Sequence, residues 1–253
     1  MDIVTVRFPL DGEWVAGHTP AEKVPSHGTD LWGQTYAYDF LRILWNEKGY
    51  KFFVPSNHKY WLRGIKLNEC LGYGEQIYAP FSGVVMESYD GFPERQYMHP
   101  LVDYLRVVKN SLVFEQGKER GNKELVPMLG NYLIIKQAES DVYALFAHLR
   151  PGSVLVRKNE EITIGQQLAH VGHTGNSTAP HLHFQLMDRI DLKTAKGIPC
   201  SFDGYERFED GSWEAMGGSM PEKRQLIRGG APNQTLQPTP KSGAAELNVE
   251  VEE

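Results

Sequence analysis

Short apolar segments, each bounded by Gly, Pro or Asn, recur through the middle of this chain of 253 residues. Examples are GEQIYAPFSGVVMES, GNYLIIKQAES and DVYALFAHL, which are rich in Val, Ile, Tyr and Phe. Such segments are typical of strands in antiparallel sheets. Residues 131–136 alternate as a strand, and the turn at residues 139–141 can lead to a partner strand at residues 143–148. We therefore predict a mainly β fold with a continuous antiparallel β-sheet core over residues 73–186.

Two segments interrupt this β pattern, and we interpret both as α or loop insertions. The first insertion, at about residues 40–72, is rich in aromatic side chains, which usually pack a core and less often face a substrate. The second insertion, at about residues 90–128, contains a helix signal followed by a polar loop. The apolar residues at helical spacing are Leu101, Leu105, Val108 and Leu112. A helix that covers a sheet face is favoured there over a helix that binds a partner.

The composition changes after the β pattern ends. After Asp188 the chain becomes polar and Gly-rich, and its last residues have almost no aliphatic periodicity. We therefore predict a β-core domain at residues 1–190, a C-terminal extension at residues 191–230 and a disordered tail at residues 231–253.

The charge distribution excludes one class of partner. The formal net charge is −6, and the four glutamates and one lysine of residues 231–253 supply half of it. No basic stripe or Lys/Arg run is present, so we expect no nucleic-acid partner.

No apolar segment is long enough to span a bilayer, and the first residues show no signal peptide. Cys70 and Cys200 lack a metal-binding spacing, and two free thiols are favoured over a disulfide.

The segment PHLHFQL contains the most informative histidines of the chain. His181 and His183 lie two residues apart in a predicted strand, so both imidazoles lie on one face of the sheet. Two such imidazoles can supply one metal ligand and one proton-transfer group. The pair alone is a weak signal, because two surface histidines on a strand would look the same.

The surrounding sequence makes the signal more specific. In GQQLAHVGHTGNSTAPHLHF, glycines and Asn176 occupy tight-turn positions that lead directly into the strand with the two histidines. This segment resembles the terminal motif of the lysostaphin/LytM-type zinc metallopeptidases, the M23 family. YALFAHLRPGS is similar to that family's Tyr-x-x-x-x-His-Leu strand, and GEQIYAPFSGVVMES resembles its Ala-Pro-x-x-Gly-x-Val hairpin. The resemblance implies a LytM-like sheet with a substrate groove.

The resemblance also implies three protein ligands for one zinc ion per chain. His183 is one ligand by its position in the motif. Asp39, in QTYAYDF, matches the family's Asp strand and is preferred to Asp30 as the second ligand. The family's His stands four residues before this Asp, where the present chain has Thr35.

We assign the first ligand to His27, twelve residues before Asp39, which requires a longer loop between the two ligands. A divergent branch of the family shares this wide spacing. His18 is close enough in sequence to remain the alternative to His27.

By the same resemblance, His148 and His181 are the general base and the oxyanion stabiliser, with the two roles left unassigned between them. Asn176, in the turn before the motif, is a candidate substrate-binding residue. Two positions depart from the family pattern. His173 stands where many members have a smaller or an amide residue, and Ala179 replaces an expected glycine. Neither change removes a ligand.

The function that this resemblance implies is a zinc metalloendopeptidase that hydrolyses peptide bonds in bacterial peptidoglycan cross-links or stem peptides. The alternative is a catalytically inactive LytM-like module that binds a peptide, cell-wall or protein partner. The wide spacing between His27 and Asp39 is the one feature that supports this alternative. A peptidoglycan substrate implies the cell envelope or secretion, whereas the missing signal indicates the cytoplasm, so localisation stays open. We also hypothesise that the aromatic residues 40–72 shape one wall of the groove.

Overall fold

The structure is a computed structural model that describes residues 2–46, 49–115 and 122–230. Its strands, in chain order, are β1 (Val4–Arg7), β2 (Gly12–His18), β3 (Tyr38–Leu41), β4 (Leu44–Asn46), β5 (Gly49–Lys51), β6 (Ile65–Lys66), β7 (Gln76–Tyr78), β8 (Gly83–Tyr89), β9 (Tyr97–Met98), β10 (Asn131–Gln137), β11 (Tyr143–Leu149), β12 (Glu161–Ile162), β13 (Gln167–His170), β14 (Leu182–Met187), β15 (Gly197–Ile198), β16 (Cys200–Asp203), β17 (Tyr205–Glu209), β18 (Ser212–Met216) and β19 (Leu226–Gly229). The helices are α1 (Asn57–Arg63), α2 (Pro100–Glu115) and α3 (Val126–Leu129), and 3₁₀ segments occur at Leu31–Tyr36, Leu67–Glu69 and Asn122–Leu125. The predicted disordered tail, residues 231–253, lies outside the described residues.

One antiparallel sheet dominates the described part of the chain. Its strand order is β12-β8-β10-β11-β14-β3-β2-β19-β17-β18, and β15 pairs with β14. The predicted hairpin is present, because β10 pairs with β11 from Asn131 opposite Leu149 to Lys136 opposite Tyr143. The prediction of a mainly β fold with an antiparallel core is confirmed.

The sheet continues beyond the residues predicted to contain it. The strands β17, β18 and β19 extend it from β2, and β16 pairs in parallel with β1. The predicted boundary at residue 190 therefore does not coincide with the end of the sheet. The sequence did not predict these strands, because β17 and β18 form an edge hairpin whose many exposed polar side chains give no apolar pattern.

Both faces of the central strands are buried. Along β10, Leu133 and Ile135 join the main hydrophobic cluster, whereas Tyr132 and Ile134 join a smaller cluster on the opposite face. The main cluster contains the largest buried aromatic residues, which are Phe8, Trp14, Tyr38, Phe40, Phe146, Phe184 and Phe202. On β14, Leu182, Phe184 and Leu186 belong to this cluster. The alternate residues of β14 therefore face the other side of the sheet.

The first insertion packs a core together with part of the second. Phe53, Ile65 and Leu67 are buried with Met98 of the second insertion, and the ring centroids of Phe53 and Tyr60 lie 4.7 Å apart. This agrees with the favoured interpretation that the aromatic residues pack a core.

The second insertion contains the predicted helix, but the helix faces the other way. Leu101, Leu105, Val108 and Leu112 are all exposed along α2. The buried residue of the first turn is the acidic Asp103, at 2% exposure. Helical spacing therefore located the helix correctly, and the expectation that its apolar side covers a sheet is wrong. Within the described residues, no helix has the length and apolar character that crossing a bilayer requires.

Candidate active site

The carboxylate of Asp39 is surrounded by four imidazole rings. Its Oδ2 atom lies 2.9 Å from Nδ1 of His18 and 3.0 Å from Nε2 of His27. Its Oδ1 atom lies 2.9 Å from Nδ1 of His183 and 3.4 Å from Nε2 of His181. Residues far apart in the sequence therefore meet at one carboxyl group.

Strand pairing explains most of this cluster. Asp39 of β3 lies directly opposite His183 of β14 and is also paired with His18 of β2. Paired residues on neighbouring strands project from the same face of a sheet. His181, two residues before His183, follows the same alternation, as the sequence predicted.

A loop brings His27 to the same place. The backbone N–H of Ser26 donates to the carbonyl of Thr35 at 2.9 Å, which closes the loop between His27 and β3. The twelve-residue spacing is therefore compatible with a shared site. Distance to Asp39 does not separate His27 from His18, but the His27 side chain is 16% exposed and that of His18 is 50% exposed. Asp30 is exposed and does not line the pocket described below.

The two predicted catalytic histidines are held in the same way. Nδ1 of His148 donates to the carbonyl of Thr174 at 2.9 Å, and Nδ1 of His181 donates to the carbonyl of Ala179 at 2.7 Å. A carbonyl only accepts, so both rings keep the proton on Nδ1 and direct Nε2 elsewhere. The ring centroids lie 4.7 Å apart. His148 also has a φ of +63°, a strained value for a side chain of this size, at the end of β11.

Burial and charge shift the pKa values of these groups in opposite directions. Burial lowers the pKa of His148 well below its ordinary value, and the nearby His181 and His183 rings add to the shift. Burial also acts to lower the pKa of His181, but the Asp39 carboxylate outweighs it and leaves that pKa raised. Burial acts to raise the pKa of Asp39, and His27 and His181 more than offset it, so that pKa is well below the ordinary value. The Asp39 carboxylate is therefore ionised across the neutral range.

Gln185 supports the site and was not found from the sequence. Its Oε1 atom lies 3.0 Å from Nε2 of His183, and its Nε2 donates to the carbonyl of Trp32 at 2.8 Å. Nε2 of His183 therefore donates to Gln185 and leaves Nδ1 directed at Asp39. The available signal was a polar residue at the alternate position of an otherwise apolar strand.

The cluster fits a zinc ion. Two ligand atoms bound to a tetrahedral zinc ion lie roughly 3.3 Å apart. The contacts between Asp39 and its four imidazoles span 2.9 to 3.4 Å, and the candidate ligand atoms of His18, His27 and Asp39 all lie within 4.8 Å of one another. His183 reaches the other oxygen of the same carboxylate. Imidazole nitrogens and a carboxylate oxygen are also donors that zinc accepts.

A pocket of about 370 Å³ opens over these side chains. The histidines and Asp39 line one side, and apolar residues of the second insertion, including Val107, Leu125 and Met128, line the other. Asn176 also lines the pocket, and its backbone N–H donates to the carbonyl of Met128 at 2.9 Å. None of the described residues in the range 40–72 lines it. The aromatic residues of that range therefore form no wall of this pocket, and Phe52, Phe53 and Tyr60 contact one another instead.

The sequence of the middle of the chain matches a known family. Residues 106–195 match the model of peptidase family M23. This range is similar to an M23 peptidase domain. The matched range includes His148, His181 and His183, whereas His27 and Asp39 lie before it. The resemblance predicted from the motifs is confirmed.

Two curated relatives of this chain come from Vibrio cholerae. The peptidoglycan DD-endopeptidase ShyB is 40% identical over 28% of this chain and 18% of that protein. The peptidoglycan DD-endopeptidase ShyA is 33% identical over 25% of this chain and 14% of that protein. The chain thus matches less than a fifth of the length of either relative. Among solved structures, the catalytic domain of lysostaphin from Staphylococcus simulans is similar, with 18% identity, a TM-score of 0.37, and coverage of 74% of this chain and 88% of that one.

Proposed function

We propose that this chain is a zinc metalloendopeptidase that hydrolyses peptide bonds in bacterial peptidoglycan cross-links or stem peptides. The observation that carries the proposal is the meeting of Asp39 with four histidines beside a pocket, in a chain whose residues 106–195 match the M23 peptidase model. The names of two relatives, both peptidoglycan DD-endopeptidases, support this class of substrate.

In this proposal, His27, Asp39 and His183 hold one zinc ion per chain. Three protein ligands leave a fourth position open for water or substrate, as catalytic zinc sites require. A zinc ion bound there supplies Lewis-acid chemistry, which polarises a peptide carbonyl and activates water. Gln185 and Ser26 orient the ligating rings, because each contacts the second nitrogen of a proposed ligand.

His148 and His181 handle protons in the reaction. Each ring has its Nδ1 proton engaged by a backbone carbonyl, so each presents Nε2 for chemistry. A free Nε2 can accept the proton that an attacking water releases, and a protonated ring can donate to the developing oxyanion. We assign the roles of general base and oxyanion stabiliser to His148 and His181 as a pair, without dividing them between the two rings. Asn176 is proposed to contact the substrate from the wall of the pocket.

The test compares metal content with activity in four variants. Zinc would be measured by elemental analysis in the wild type, His27→Ala, Asp39→Ala and His183→Ala, while peptidoglycan solubilisation is followed in parallel. His18→Ala is the matched control, because His18 contacts the same carboxylate but is half-exposed. We expect one zinc per wild-type chain, loss of zinc and activity in the three ligand variants, and retained zinc in His18→Ala.

Two other results would change the conclusion. Zinc lost in His18→Ala and kept in His27→Ala would make His18 the first ligand. A folded wild-type protein that takes up no zinc after loading, and leaves peptidoglycan intact, would indicate the alternative function, an inactive module that binds its partner without turnover.

A further inference from the structure

A buried series of polar side chains that does not line the pocket leads to His181. His173, Ser177 and Asp103 are 0%, 1% and 2% exposed. Nη2 of Arg95 lies 2.8 Å from Nε2 of His173, and Nδ1 of His173 lies 2.9 Å from Oγ of Ser177. Oγ of Ser177 in turn lies 3.2 Å from Nδ1 of His181. The series therefore reaches the ring that we propose to act in catalysis.

The Arg95 guanidinium and the Ala179 carbonyl set the direction of the main hydrogen bonds in this series. A guanidinium group only donates, so Nε2 of His173 accepts from Arg95 and the ring keeps its proton on Nδ1. That proton is donated to Ser177, whose hydroxyl donates to the carbonyl of Ala179 at 2.6 Å. The same carbonyl accepts the Nδ1 proton of His181. Burial lowers the pKa of His173 to about 4, which agrees with a neutral ring at this position.

The series begins in the second insertion. Nε of Arg95 forms an ion pair with Asp103 of α2 at 3.1 Å, and Asp103 accepts from the backbone N–H of His99 at 2.8 Å. Arg95 also donates to the carbonyls of Gly175 and Ser177, at 3.2 and 2.8 Å. One guanidinium therefore holds both His173 and the turn that leads into the strand of His181.

We propose that Arg95, Asp103, His173 and Ser177 form a positioning network through which the second insertion fixes the ring of His181 with Nε2 directed at the pocket. The inference rests on the proposed function for the role of His181. It explains why a histidine occupies position 173: its side chain combines an acceptor for Arg95 with a donor for Ser177, whereas a serine hydroxyl is too short to reach both.

The first arm of the test separates positioning from packing. His173→Leu and Ser177→Ala would be compared with Ser201→Ala, which removes another hydroxyl at 1% exposure, one that bonds to Thr5 at 2.8 Å away from the site. With the zinc-loaded protein and soluble cross-linked muropeptides, we expect kcat to fall about 10- to 100-fold in the first two variants, with KM little changed. Ser201→Ala keeps its kcat. His173→Asn, whose amide keeps a donor near the Nδ1 position, recovers most of the loss.

The second arm does not depend on activity. In protein with ¹⁵N-labelled histidine, the hydrogen-bonded Nδ1 proton of His181 gives a slowly exchanging signal, which we expect to weaken or split in His173→Leu and Ser177→Ala and to persist in Ser201→Ala. If His173→Leu does not fold, Ser177→Ala provides the comparison. Variants that lose stability as Ser201→Ala does, yet keep both kcat and the His181 signal, would overturn the inference. An inactive wild type whose His181 signal still depends on His173 would refute the proposed function and leave the positioning network standing.

Discussion

Asp39 carries a charge in a place where an unpaired charge would be costly. Its side chain is 12% exposed, and removal of a partner from a buried charge commonly costs several kcal/mol. The four surrounding imidazoles offset this cost, and a bound cation would do so more strongly. An apolar residue at position 39 would need none of these partners. The stability of the fold therefore does not require this charged cluster, which points to a functional site.

Gln185 gives a test of how the ligands are oriented. We expect Gln185→Leu to weaken zinc binding by about 10- to 100-fold, because Nε2 of His183 loses its acceptor and the ring is free to turn. Competition with a chelator of known affinity would measure the change. Gln185→Glu keeps an oxygen at the same place and is the control. Equal affinities in the wild type and Gln185→Leu would show that Gln185 has no part in holding His183.

His173 predicts a dependence of stability on pH. Its folded-state pKa is lowered from 6.5 to about 4 by burial, and the charged groups that face it are Arg95, Asp103, Glu94 and His181. Between these pH values the His173 ring binds a proton in the unfolded chain and stays neutral in the folded protein. The stabilisation is therefore complete above pH 6.5 and is lost as the pH falls toward 4, by up to about 3 kcal/mol.

Denaturant unfolding of the wild type and His173→Asn, at pH 7 and pH 5, would measure this contribution. We expect the wild type to lose more free energy of unfolding than the variant between the two pH values. Parallel losses in the two proteins would show that His173 titrates normally in the folded state.

Most of the residues that meet around Asp39 could be named from the sequence as candidates. The motif around His181 and His183 and the strand of Asp39 are local patterns, so they were readable. Gln185 and the partners of His173 were not, because their roles depend on contacts between residues far apart in the chain. The choice between His27 and His18 also needs the fold, since both approach the same oxygen.

At the scale of elements, the turn before β14 is tightly constrained. Gly175 has a φ of +66°, and a Cβ atom there would lie 2.4 Å from the backbone N of Gly130 and 2.6 Å from the carbonyl of Met128. Gly152 has a similar φ of +69°, with nothing within 4 Å of such an atom. The two glycines therefore separate the cost of backbone strain from the cost of a steric clash.

We expect Gly152→Ala to reduce the free energy of unfolding by about 1–2 kcal/mol, which is the cost of the left-handed backbone alone. Gly175→Ala should cost clearly more, roughly 3 kcal/mol or above, and should also reduce activity by displacing Asn176 and Ser177. Chemical denaturation of both variants measures the difference. Equal losses would mean that the turn can shift freely away from Gly130.

Elements differed in how well the sequence located them. The hairpin of β10 and β11 was found because its apolar alternation and its turn are adjacent in the chain. Helix α2 was found by its spacing, but its orientation was not, because the ion pair of Asp103 with Arg95 turns the acidic side inward. A pattern of apolar residues predicts a helix well and predicts its buried side only where no buried charge pair competes.

At the scale of the whole molecule, the sheet joins the two ends of the described chain. The strand β2 lies between β3, which carries Asp39, and β19, near residue 230. Phe202 of β16 contacts Phe8, Tyr38 and Phe40 at ring centroid distances of 5.5, 5.0 and 5.7 Å. The residues after 190 therefore support the strand that presents the proposed metal ligand.

This arrangement predicts different outcomes for two truncations. A chain that ends at Gly230 keeps every contact described, and we expect it to unfold cooperatively at the temperature of the full chain. A chain that ends at Ile190 loses β15 to β19 and uncovers Phe8 and Phe40. Loss of a buried aromatic residue such as Phe202 alone costs about 3–5 kcal/mol, a large part of the stability of a typical domain. We expect this shorter chain to be unfolded and to bind no zinc, as judged by circular dichroism and elemental analysis.

A folded, zinc-binding chain ending at Ile190 would instead show that the sheet is complete without its last strands and that the predicted boundary is a true domain boundary.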